Sequence, residues 1–93
     1  MDVRDKVVAI TGAARGLGQE FARTLAAGGA RVVVSDIGDC GATLELVAAE
    51  KGEGIATRLD VTDAGSALAM VEAAVREFGR LDGLIVAHEK QGA

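Results

Sequence analysis

Thr11-Gly12-Ala13-Ala14-Arg15-Gly16-Leu17-Gly18 stands between an apolar run, Val7-Val8-Ala9-Ile10, and a segment of helical spacing that begins near Gly16. The stretch reads as a phosphate-binding turn between a strand and a helix. Glycine lets the backbone turn sharply and approach a ligand closely. The N–H groups at the start of the following helix attract an anion such as a pyrophosphate. The spacing Gly-x-x-x-Gly-x-Gly is neither Gly-x-Gly-x-x-Gly nor the P-loop pattern that ends in Gly-Lys-Ser/Thr. By itself it points to a nucleotide; a glycine-rich turn that binds nothing is the plain alternative.

Working outward, Lys6 to Ile10, Val32-Val33-Val34 and Leu84-Ile85-Val86 are short unbroken apolar runs, the pattern of strands covered on both faces of a parallel sheet. Between the first two, Leu17, Phe21 and Leu25 recur every four residues with Ala22 and Ala26 beside them, and Gly28-Gly29 ends the helix. A second helix is expected from about Gly41 to Lys51, with Leu44, Val47 and Ala48 on its apolar face and Gly52 as a left-handed terminus. Ile55 to Leu59 reads as an edge strand, because Thr57 and Arg58 interrupt its apolar run. Thr62 or Asp63 can cap a third helix with a Leu68, Val71, Val75 and Phe78 stripe, ending at Gly79.

The order is therefore β-α-β-α-β-α-β. Right-handed crossovers confine such a chain to few topologies, and strand order 3-2-1-4 is the expected one. That places the Gly12–Gly18 turn at the switch point between the first and fourth strands, where it opens into a ligand crevice. The fold class is α/β, a Rossmann-type parallel sheet that stops after its fourth strand.

Composition narrows the function. The 93 residues suit one domain, and with 49% apolar residues but only Phe21 and Phe78 as aromatics, the core must be built from Val, Ile, Leu and Ala. A net charge of −4 from interspersed charges leaves no basic stripe for a nucleic acid. No apolar run reaches the length of a membrane span or signal-peptide core, so a cytoplasmic protein is expected. Cys40 is the single cysteine, read as a small half-buried residue, and no Cys/His cluster has metal-ligand spacing.

Thr-Gly-x-x-x-Gly-x-Gly, then Val33-Val34-Ser35-Asp36, then Leu59-Asp60-Val61, then Gly79-Arg80-Leu81-Asp82, taken in this order, resemble the short-chain dehydrogenase/reductase family. The resemblance runs from residue 6 to about 87 and matches the N-terminal, cofactor-binding part of that family. It implies that Gly12, Arg15, Gly16, Leu17 and Gly18 surround the cofactor pyrophosphate and adjacent ribose. It also implies that Asp36, with Ile37 beside it, meets the adenine ribose. A carboxylate at the end of the second strand accepts both ribose hydroxyls and repels a 2′-phosphate, which favours NAD over NADP, although Arg15 could partly offset the charge. Asp60 and Val61 would flank the adenine ring; helix capping is the plain alternative for Asp60. Asp82 reads as a structural turn residue.

The pattern departs from the family after the fourth strand. Where the family carries Asn-Asn-Ala-Gly, this chain has Val86-Ala87-His88-Glu89, and only Ala87 is expected to pass close to the cofactor. The family's catalytic tyrosine, with lysine four residues later, has no counterpart, because the sequence contains no tyrosine. Its serines, Ser35 and Ser66, stand far from any catalytic position. A positioned acid–base group commonly contributes ~10²–10⁴-fold in rate, so little turnover is expected from these residues, and none is assigned as catalytic. His88 and Lys90 read as solvated tail residues.

The expectation is one partial Rossmann dinucleotide-binding domain over residues 1–93, with an atypical tail at 88–93. The fourth strand has the composition of a central strand with nothing after it to cover it, which suggests a severed longer chain or self-association through its edge. Two other classes stay open: a stand-alone dinucleotide-binding or regulatory module, and a methyltransferase-like nucleotide fold. The latter usually opens its glycine motif with an acid where this chain has Thr11.

Overall fold

The chain alternates strand and helix in a computed structural model that describes residues 2–60 and 62–87. The elements are β1 (Val7–Thr11), α1 (Gly16–Ala27), β2 (Arg31–Asp36), α2 (Gly41–Ala49), β3 (Glu53–Arg58), α3 (Ala64–Phe78) and β4 (Gly83–Val86). All strand pairs are parallel and the order is β3-β2-β1-β4, as the crossover rule requires. β1 lies between β2 and β4, with Ile10 opposite both Val34 and Ile85. β3 is an edge strand, as its polar residues predict.

Because strand side chains alternate between faces, the apolar runs feed two cores. Val8, Ile10, Val32 and Val34 pack with Ala22 and Ala26 of α1 and Val47 of α2. Val7, Ala9 and Val33 pack on the other face with Leu59 and with Met70 and Ala74 of α3. β1 and β2 are buried on both sides, which is why their sequence shows no alternation, whereas Leu84 and Val86 of β4, expected to be a covered central strand, are exposed.

The helices bury only part of the faces expected, Ala22, Ala26 and Val47 among them. In α1 the buried residues are Gly18, Ala22 and Ala26, whereas Leu17 and Phe21 are exposed and only Leu25 of that stripe packs on the core. Small residues face the sheet so that the backbone can lie close to it. In α3 the Leu68, Val71 and Val75 stripe is likewise exposed; Met70, Ala73 and Ala74 are buried, and Phe78 alone of the expected stripe joins the core. In α2 the inward residues are Thr43 and Val47, with Leu44 packed beside them and Ala48 exposed.

Helix ends follow local chemistry. Asp63 caps α3, its Oδ1 accepting from the Gly65 N–H at 2.9 Å, and Gly79 closes it in the left-handed region. The left-handed residue after α2 is Lys51 (φ 60°), not Gly52. Gly52 has another role: a Cβ there would stand 2.8 Å from the Ala26 Cβ, so its lack of a side chain lets the α2–β3 joint pack on α1. β3 begins at Glu53, earlier than expected, because Glu53 and Gly54 pair with Arg31 and Val32. Leu59 falls just beyond the strand, buried under α3.

At the N-terminal end of the sheet, Asp82 joins β4 to β1. Its carboxylate accepts the Val7 N–H at 2.8 Å, and its own N–H donates to the Val7 carbonyl at 2.8 Å. The Arg80 guanidinium donates to Oδ1 and, with the Val7 bond, holds the Asp82 carboxyl below the usual carboxylate range. The structural reading of Asp82 fits this geometry.

A depressed carboxyl pKa stabilises the fold above the group's ordinary pKa, and this contribution is lost as pH falls through the depressed value. Asp82→Asn keeps an acceptor for Val7 and removes the charge. The melting-temperature deficit of this variant should therefore be present near neutrality and shrink as pH is lowered from about 6 to about 2, as followed by circular dichroism. A deficit that grew on acidification would reverse the assignment.

Candidate dinucleotide site

At the C-terminal end of β1 the chain turns into α1 through Gly12 and Gly16, whose φ angles of 65° and 62° lie in the left-handed region. Two close approaches define this turn. A Cβ on Gly12 would stand 2.3 Å from the Ala87 carbonyl oxygen, and one on Gly18 would stand 2.2 Å from the Gly12 carbonyl oxygen. Both obstacles are backbone atoms, so glycine is required at each position. Arg15, in extended conformation, precedes α1 with an exposed side chain and does not cap the helix through it. Anions are favoured at such a terminus.

Asp36 ends β2 beside this turn. Its Oδ2 accepts the Ala14 N–H at 2.9 Å and its Oδ1 accepts the Gly38 N–H at 3.0 Å, which orients the carboxylate and ties the turn to the β2–α2 loop. The Asp36 carbonyl receives the Leu59 N–H, so the end of β3 is drawn in as well. A cleft of about 200 Å³ results, lined by Thr11, Gly12, Asp36, Ile37, Leu59, Asp60, Val86 and Ala87. It lies where β1 parts from its neighbours, the switch point at which open α/β sheets bind ligands.

Of the expected site residues, five line this cleft. Gly12, Asp36, Ile37, Asp60 and Ala87 line the cleft, and Ile37 is largely exposed over it. Arg15, Gly16 and Leu17 lie in the turn and first residues of α1 with exposed side chains or backbone, Gly18 is buried, and these four are not among the residues that line the cleft. Ala87 is bound to β1 through its N–H, which donates to the Thr11 carbonyl. Val61, like His88 and Lys90, lies outside the described residues.

Asp60 does two things. Its Oδ1 accepts both the Thr62 N–H (2.9 Å) and the Thr62 hydroxyl (2.6 Å), bonds that hold its carboxyl below the usual range. This turn leads into α3 while the residue also lines the cleft. Cys40, by contrast, is buried rather than half-buried; burial and the charges of Asp36 and Asp39 push its thiol up to about 11, which disfavours the thiolate at neutral pH. Among the described residues no group of His, Cys, Asp and Glu could hold a metal ion, and no helix is long and apolar enough to cross a membrane.

Sequence reading missed a polar cluster behind the turn. The Thr43 hydroxyl, fully buried in α2, donates to the Ala13 carbonyl at 2.6 Å; the Gln19 amide donates to Thr43 Oγ1 and to the Ala14 carbonyl, both at 3.1 Å. Thr43 lies four residues before Val47, on the inward face, and a hydroxyl on that face was the available signal.

Comparison with known proteins agrees with this geometry. The family model described as short chain dehydrogenase matches residues 6–87. L-rhamnose 1-dehydrogenase (NAD(P)(+)) of Azotobacter vinelandii is 45% identical over 87 residues, covering 87% of this chain and 34% of that protein. The crystal structure of hydroxysteroid dehydrogenase from Escherichia coli superimposes with a TM-score of 0.86 at 34% identity, over 90% of this chain and 37% of that one. A short chain dehydrogenase from Mycobacterium paratuberculosis bound to NAD gives a TM-score of 0.83 at 30% identity, over 90% of this chain and 36% of that one. This chain spans about a third of the length of the curated relatives it matches.

Gly18→Ala should destabilise the fold by about 1–3 kcal/mol, because the added methyl meets a backbone oxygen that cannot swing away. Gly79→Ala, whose Cβ would meet nothing within 4 Å and which therefore adds only left-handed strain, should cost about 1 kcal/mol. Urea denaturation of both variants tests this order, and equal midpoints would refute the close packing at Gly18.

Proposed function

Because the chain belongs to the short chain dehydrogenase family, we propose that it is the dinucleotide-binding N-terminal part of an oxidoreductase and that its ligand is NAD(H). The observation that carries this reading is the Asp36 carboxylate, oriented by two backbone N–H groups beside a glycine turn too tight for any side chain. A carboxylate so held accepts from vicinal ribose hydroxyls and repels a 2′-phosphate. Gly12, Arg15, Gly16, Leu17 and Gly18 take the pyrophosphate and adjacent ribose. Asp36 and Ile37 meet the adenine ribose, Asp60 and Val61 flank the adenine, and Ala87 lies toward the nicotinamide side. Residues 1–93 form one partial Rossmann domain.

When bound, the nicotinamide supplies hydride transfer, which in a longer parent would act between an alcohol and a carbonyl. The present residues bind and orient. The sequence contains no tyrosine to move the accompanying proton, so NAD binding without appreciable turnover is the expected behaviour of this chain.

A second reading, a self-associating module, is favoured by one feature. Leu84 and Val86 of β4 are exposed, and so are the Leu17–Phe21 flank of α1 and the Leu68–Val71–Val75 flank of α3. Leu25, Leu84 and Ile85 line an apolar groove of about 510 Å³ on the β4 side. Apolar patches of this kind mark interaction sites.

Isothermal titration calorimetry with NAD, NADP and S-adenosylmethionine tests the first reading. NAD should saturate one site, and Asp36→Asn should raise the NADP-to-NAD affinity ratio about tenfold or more by removing the like charge; saturation by S-adenosylmethionine alone would overturn it. For the second, sedimentation should show a concentration-dependent dimer that Leu84→Lys abolishes. A monomer at all concentrations would refute self-association.

A further inference from the structure

We propose that Thr43, remote from the cleft and buried in α2, is a positioning residue for the Asp36 carboxylate and acts on it through a single peptide plane. This deepens, and for its ligand rests on, the reading of the site as an NAD site. A trans peptide is planar with its C=O and N–H pointing in opposite directions. In the Ala13–Ala14 peptide, the carbonyl accepts the Thr43 hydroxyl at 2.6 Å, and the N–H donates to Asp36 Oδ2 at 2.9 Å. The bond on one side of the plane therefore sets the direction of the bond on the other.

The donor count closes around this plane. The one hydroxyl hydrogen of Thr43 is committed to Ala13, so Oγ1 is left to accept, and Gln19 Nε2 donates to it. The second Gln19 amide hydrogen goes to the Ala14 carbonyl, and the Ala13 N–H donates to the Ser35 carbonyl at 3.1 Å. Ala13 and Ala14 are thus held by both their donors and their acceptors, from α2, α1 and β2. Thr43 is fully buried, so water cannot readily replace its hydroxyl, and an unsatisfied carbonyl there favours rotation of the peptide. Such rotation withdraws the Ala14 N–H from Asp36.

The test uses Thr43→Val, which keeps shape and removes the hydroxyl, and Thr43→Ser, which keeps the hydroxyl. Calorimetry well below each melting temperature should show NAD affinity reduced roughly tenfold by Thr43→Val and restored by Thr43→Ser. Thr43→Val added to Asp36→Asn should cause little further loss, since both act on one carboxylate. Additive losses, or unchanged affinity in a folded Thr43→Val protein, would overturn the proposal. An NMR readout needs no ligand: the Ala14 amide should shift and exchange faster in Thr43→Val, while the Val33 amide in the sheet stays protected. If wild-type protein fails to bind NAD, the ligand reading fails and this amide measurement still decides the role of Thr43. An unperturbed Ala14 amide refutes it.

Discussion

No methyl group fits between Gly18 and the Gly12 carbonyl, or between Gly12 and the Ala87 carbonyl. These two backbone approaches bring the end of β1, the start of α1 and the end of β4 together without intervening side chains. The cleft depends on them, because a side chain at either glycine would push the turn away from β4. Helix α1 depends on them too, since its first buried residue, Gly18, sets how closely Ala22 and Ala26 rest on Ile10 and Val34.

Two aspartates stitch the sheet at opposite ends, and their surroundings separate their roles. Asp82 clasps Val7 at the N-terminal end with Arg80 bound to its other oxygen, an arrangement that offsets the charge. Among the described residues Asp36 accepts from backbone N–H groups alone, so its charge is oriented without a cation among those partners, at the mouth of a cleft. The same side-chain chemistry thus serves as a fastener in one place and as a poised acceptor in the other.

The molecule is closed on one side and open on the other. Toward α2, helix α1 presents Gln19 and Arg23, which reach Thr43 and Glu50. Its opposite flank, Leu17 and Phe21, is exposed, and Leu25 borders the groove beside β4. On the other face α3 packs across β1, β2 and β3, while Leu84 and Val86 of β4 and the Leu68–Val71–Val75 flank of α3 are exposed. Apolar surface is therefore exposed in both helical layers as well as on β4.

The sequence by itself determined the element order, the strand order and several of the residues that line the cleft. Apolar runs, glycine stops and handed crossovers are local or chiral rules that need no knowledge of neighbours. It did not determine which helix faces are buried. In α3 the periodic stripe of large residues, Leu68, Val71 and Val75, looked like the core face, yet contact with the sheet selected Met70, Ala73 and Ala74. Periodicity reports that a helix has an apolar flank, not what that flank meets. Lys51 took the left-handed position expected of Gly52, because Gly52 was needed against Ala26. The link from Thr43 to Asp36 was equally hidden, since it runs from α2 through a peptide plane of the turn to the end of β2. Only packing decides which distant backbone groups face a buried hydroxyl.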